Sequence, residues 1–203
     1  MLGVEHELVD LSQHLRELRN NSSGRKPSAA MRGMEVWKAA IKCPDNGISA
    51  VFYNETKLPA PAYGFFSRLG DGNGNFIADI YVHKPHHKSE KRRLAPHWKE
   101  FVLIKELMHC WSPLSTYVGS PQAAAELLDT LNIPSGPFGR IAIADFIAVL
   151  AAAEVVLPYD IVKAAMGAGK ETAQIAHEHG LHPEIVAYIC RHDIMEERLI
   201  GCL

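Results

Sequence analysis

No pair of cysteines in this chain is spaced as CxxC. Cys43, Cys110, Cys190 and Cys202 are scattered through 203 residues. That excludes a zinc ribbon or a thioredoxin-type motif and fits a reduced, cytoplasmic setting. Charge of one sign is also lacking: 21 Lys and Arg stand against 23 Asp and Glu. A protein that coats nucleic acid would be strongly basic, so that class is set aside. There is no apolar run of membrane length. The longest candidate, "IAIADFIAVLAAAEVVL" (141–157), is short for a span and carries Asp145 and Glu154, so it reads as a buried core helix. The N-terminal stretch "MLGVEHELVDLSQHLREL" is acidic and amphipathic, unlike a secretory signal. Neither an internal repeat nor a low-complexity linker interrupts the sequence.

What is present alternates between helical and extended patterns. Leu8, Leu11, Leu15 and Leu18 predict a helix over about 5–19, and Ser28 caps a second that "CPDNG" (43–47) stops. "ISAVFYNE" from 48 onward reads as a strand. "AYGFFSRL" and "NFIADIYVH" flank "GDGNGN", a hairpin signal. The polar connector 83–96 leads into a strong helix over about 97–111. Further helices are predicted at about 121–131, 140–157 and 159–167, and "TAQIAHEH", "GLHP" and "EIVAYICRH" close the chain as helix, turn, helix. The expected fold is α+β, with a small antiparallel sheet of about three strands surrounded by helices. It is expected as a single domain over 1–203. N-terminal helices fill 1–47, the sheet and central helix fill 48–112, and a helical part fills 113–203.

Chemistry concentrates in "IKELMHCW" (104–111). On a helix, residues three or four apart share a face, so Lys105 and His109 stack and Glu106 leans toward His109. The string K-E-L-M-H matches the zinc motif H-E-x-x-H except at its first position. There two histidines hold the metal and the Glu takes a proton from the bound water. A lysine ammonium is a cation at neutral pH and has no free lone pair, so it repels zinc instead of ligating it. Asp129 and Asp145 are candidate carboxylates from downstream helices. Asp145 interrupts the apolar "IAIADFIAVL", where an acid needs a partner. His83, His86, His87 and His97 precede the helix and are candidate sources of the missing nitrogen, His97 being the nearest in sequence.

The order of these parts resembles the ImmA/IrrE family of zinc metallopeptidases. "FVLIKELMHCW" (101–111) lies where that family has its F-x-x-A-H-E-L-G-H helix. "DFIAVLAAAEVVLP" (145–158) lies where it has an acidic helix of the pattern E-x-x-A-N-x-F-A. The resemblance implies a zincin-like active helix, Glu106 as catalytic base, His109 as second histidine and Asp145 as third metal ligand. "ADIYVH" (78–83) resembles the edge strand that precedes the active helix, and "TAQIAHEHGLHPEIVAYI" resembles the closing helical segments. It spans roughly residues 48–190. Lys105 stands where the family has its first ligand, and Val149 where it usually has Asn. Members cleave or regulate repressor-like proteins in phage, mobile-element and stress circuits, which implies a protein substrate or a protein partner here.

Two readings of K-E-x-x-H follow. In one, an imported ligand completes a zinc site and the chain is an active peptidase. In the other, the Lys105 ammonium takes the metal's place and balances Glu106 and Asp145, each group in its default charge state. A third class, a DNA-binding regulator, would use the helix–turn–helix tail. Residues 170–198 hold six acids against three Lys or Arg, which argues against phosphate neutralisation.

Other motifs fail on chemistry. "MGAGKET" (166–172) has Ala164 where a phosphate loop needs Gly and Glu171 where it needs Ser or Thr, so it reads as a helix stop and restart. "DGNGNFIAD" (71–79) has Phe76 and Val82 at the sixth and twelfth positions of a would-be calcium loop, so it reads as a hairpin tip. No second E-x-x-H exists for a di-iron site. "HEHGLH" (177–182) reads as a polar turn, and "HKPHHKSEKRR" (83–93) as a solvated connector.

Overall fold

The computed structural model describes residues 47–59, 62–84, 94–110, 148–192 and 194–196. The chain divides into two compact units, one of Arg32–Trp111 and one of Met1–Met31 with Ser112–Leu203. The helices predicted over 5–19, about 28–42 and 121–131 lie outside the described residues, as do Asp129 and Asp145.

The first unit is built on three strands, β1 (Ile48–Thr56), β2 (Gly64–Gly70) and β3 (Phe76–His83). β2 and β3 form the predicted hairpin. At its tip Gly72 and Gly74 adopt positive φ, and the Asp71 carboxylate accepts from the amides of Asn73 and Asn75 at 2.8 and 3.1 Å. An Asx-type tip of this kind, with its glycines in the left-handed region, needs no calcium to hold it.

The sheet corrects the expectation of an all-antiparallel arrangement. Its order is β1-β3-β2, with β1 parallel to β3 and only β2–β3 antiparallel. β3 is therefore the central strand of the three, not the edge strand that the family resemblance implied. The hairpin signal fixes the β2–β3 pair and the alternation fixes faces, but neither says where β1 pairs; β1 takes the free edge of β3, in register with the buried Ala78, Ile80 and Val82.

Register places Val51, Tyr53 and Glu55 of β1, Ala78, Ile80 and Val82 of β3, and Arg68, Phe66 and Gly64 of β2 on one face. Helix α1 (Pro96–Met108) covers that face, burying Phe101, Ile104, Leu107 and Met108. Each such side chain contributes about 1.5–3 kcal/mol by leaving water. Pro96 starts the helix where a missing N–H costs nothing. The opposite sheet face keeps Phe52, Phe65 and Leu69 exposed.

A polar clamp ties β1 to α1. Glu55 accepts from the Tyr53 hydroxyl at 2.8 Å, pairs with Lys84 at 3.1 Å, and makes a short ion pair with Lys99. The hydrogen bond from Lys99, then that from Tyr53, lowers the Glu55 carboxyl to about 2. Burial first, and then the same carboxylate, pushes the Tyr53 phenol up.

In the second unit, residues 148–156 are helical and almost wholly buried. Glu154 is buried among them and finds its partner locally: its carboxylate accepts the Tyr159 amide at 3.0 Å. That satisfies an orphan donor at the start of α2 (Tyr159–Gly167). The sequence reading of "MGAGKET" as a stop and restart is matched. Gly169 is left-handed, the Lys170 amide closes back on the Ala165 carbonyl at 3.0 Å, and Gln174 Oε1 accepts the Glu171 amide. Helix α3 (Thr172–His179) then runs to Gly180, whose φ of 62° turns the chain into α4 (Pro183–Ile189). Ile175 and Ala176 of α3 and Ile185, Val186 and Ile189 of α4 are buried, so the two helices pack as a short hairpin. No described helix is long and apolar enough to cross a membrane.

Candidate functional site

The site is built where α1 crosses β2. Glu106 sits among Ile104, Leu107 and Met108 and is 1% exposed. A carboxylate so placed is expensive unless charge and hydrogen bonds answer it. Neighbouring residues on a helix do not normally face each other. Lys105 overcomes this with its long flexible stem, which brings Nζ to 2.7 Å from Glu106 Oε1. The lysine side chain is itself only 12% exposed. The other oxygen, Oε2, lies 3.7 Å from His109 Nε2, too long for a hydrogen bond.

β2 forms the floor. Gly64 lies directly against the Glu106 carboxylate and Val102. Two residues on, the Phe66 ring tilts at 33° to the His109 ring, with centroids 5.4 Å apart. Two residues further, the Arg68 guanidinium lies 4.2 Å over the Phe76 ring, and burial pushes its pKa down. The helix and β2 therefore run in the same sense, Glu106 over Gly64 and His109 beside Phe66.

The structure places Lys105 at one oxygen of Glu106 and His109 nearer the other. Asp145 and Asp129 fall outside the described residues. His97 does not join the site. It lies in the first turn of α1, and a helical rise of about 1.5 Å per residue sets it about 18 Å from His109 along the axis. Two imidazoles at that separation on one straight helix cannot share an ion. His83 does not join either. It follows Val82 in β3 and so points to the opposite sheet face, where its Nδ1 accepts the Leu58 amide at 3.1 Å. His86 and His87 are outside the described residues.

The resemblance implies zinc, and the described donors of this cluster do not fit it. One imidazole and one carboxylate are two ligands where a zinc site uses three or four, and an ammonium lies against the Oε1 of that carboxylate. Metal chemistry would need that ammonium displaced and further donors supplied.

Gly64, Phe66 and Arg68 were not singled out from sequence. The signal that reaches them is hairpin register. With the turn fixed at 71–75, period-two alternation puts residues 64, 66 and 68 opposite the apolar Val82, Ile80 and Ala78, on the face a helix must cover.

No family model matches the chain, and no curated protein matches it.

Proposed function

We propose that the chain is a metallopeptidase-like protein of the ImmA/IrrE type whose zinc site has been replaced by an internal ion pair, and that it acts by binding another protein. The observation that supports this is the 2.7 Å contact between Lys105 Nζ and Glu106 Oε1 in a setting where both side chains are largely buried. On this reading Lys105 supplies the positive charge that a metal would otherwise bring. Glu106 stays ionised as the acceptor of that charge, and its remaining oxygen faces His109. No group needs to leave its ordinary charge state. The carboxylate is then engaged, so it is not free to take a proton from water. Asp145 would be a further acid balanced by the same cation, and the setting would be phage, mobile-element or stress regulation in the cytoplasm.

Metal analysis tests the reading. The purified chain is expected to hold no stoichiometric zinc, whereas Lys105→His is expected to take up one zinc per chain. Stoichiometric zinc in the unaltered protein would sink the proposal and favour an active zinc peptidase. In that case Glu106→Gln should lower cleavage of a generic protein by roughly 10²–10⁴-fold, the cost of removing a general base.

A further inference from the structure

Gly64 has no conformational need to be glycine, since it is not among the glycines with positive φ. What it lacks is space. A methyl group on its Cα would overlap Glu106 Oε1, and would lie 2.8 Å from Glu106 Cδ and 2.7 Å from Val102 Cγ1. Glu106 Oε1 is also the oxygen that meets Lys105 Nζ. The vacancy left on β2 is thus filled by the carboxylate that carries the ion pair.

We infer that Gly64 is a positioning residue for Glu106. The gap on the strand fixes where the carboxylate lies, and so directs Oε1 to Lys105 and Oε2 toward His109. The inference rests on the Lys105–Glu106–His109 reading above and adds the strand to it. A side chain at 64 would displace Oε1 first and break the contact with Lys105 before it touched the His109 side. The competing account is plain packing, with Gly64 present only to admit Val102.

A mutant cycle on the full chain separates the two. Gly64→Ala alone is expected to raise the unfolded-to-folded ratio by about tenfold to a hundredfold, as overpacking does. Placed in a Glu106→Ala background, most of that effect should vanish; in a Val102→Ala background less should. Relief by Val102→Ala equal to or greater than relief by Glu106→Ala overturns the inference. Should Gly64→Ala not fold alone, adding Lys105→Met together with Glu106→Ala, which strands no charge, should restore folding and adding Val102→Ala should not; the reverse overturns it.

A second readout follows Lys105 itself, with Gly64→Ala compared at equal stability against Val102→Ala. Under native conditions, acylation of Lys105 by a soluble amine-reactive ester, referenced to Lys99 in the same sample, should rise several-fold in Gly64→Ala because the ammonium loses its carboxylate. Unchanged labelling of Lys105 overturns the positioning role. Neither measurement involves metal. Failure here therefore leaves the zinc test of the proposed function standing, and failure there leaves this one.

Discussion

Two lysine–glutamate pairs, one in each unit, have nearly the same bond length and opposite surroundings. Lys105–Glu106 spans 2.7 Å with side chains 12% and 2% exposed; Lys170–Glu178 spans 2.7 Å with 38% and 45% exposed. The difference teaches that distance says little about what an ion pair does. In the first unit the carboxylate has no water to fall back on, so its partner is part of the fold. In the second, either group can lose the other and be solvated. The same contrast runs through the rest of the two regions. Around α1 the polar groups Glu106 and Arg68 are wholly or partly removed from solvent between sheet and helix. Around α3 and α4 the exposed polar groups shape helix ends and turns: Gln174 holds the Glu171 amide, and His182 Nδ1 accepts the Glu184 amide at 3.3 Å.

The largest expected effect comes from breaking the buried pair. Lys105→Met should cost about 3–5 kcal/mol in urea unfolding, since it strands a buried carboxylate. Adding Glu106→Gln should recover much of that loss. A cost below about 1 kcal/mol would place the pair with surface bridges and remove the contrast.

An intermediate effect is expected at Glu55, whose side chain is 23% exposed. Its carboxyl is lowered from 4.5 to about 2 in the folded state, chiefly by Lys99. A lowered folded value means the stabilisation is complete above about 4.5 and is lost as pH falls from there toward 2. Glu55→Gln should therefore be about 1–2 kcal/mol less stable than the parent at neutral pH, after allowance for solvent screening, with the gap closing toward pH 2. Parallel acid-denaturation curves for the two proteins would contradict the Glu55 clamp.

The smallest effect belongs to the exposed pair. Lys170 holds the Glu178 carboxyl below its ordinary range through an exposed contact. Lys170→Ala should leave Tm within the scatter of repeated scans and make no difference at high salt. A clear loss of Tm would show that this pair, too, is structural.

Much of the fold was legible before any coordinates. The tip 71–75 followed from Asp71 and its glycines, whose conformational needs are local. Helix α1 was expected at about 97–111 and spans Pro96–Met108; α2 appears where it was expected, over 159–167. Both follow from periodicity and short-range breakers. The stop at Gly167–Lys170 was readable because Ala164 and Glu171 lack the chemistry of a phosphate loop. Strand pairing was less legible. "ISAVFYNE" looks the same whether it joins β2 or β3, parallel or antiparallel, because pattern gives faces and not neighbours. The expected antiparallel sheet, with 78–83 at an edge, gave way to a mixed one with β3 in the middle for that reason.

The candidate site divides along the same line. The sequence by itself determined that Lys105, Glu106 and His109 share a helix, that a cation stands where a first metal ligand would, and that an acid there must be answered within an apolar stretch. Those are consequences of spacing and charge, which act over a few residues. Only the tertiary structure decided that the answer reaches Glu106 from its own neighbour, that Gly64 leaves room for the carboxylate, and that Phe66 and Arg68 flank it. Residues forty positions apart in sequence meet there because a hairpin register and a helix crossing place them together. No local preference encodes that meeting.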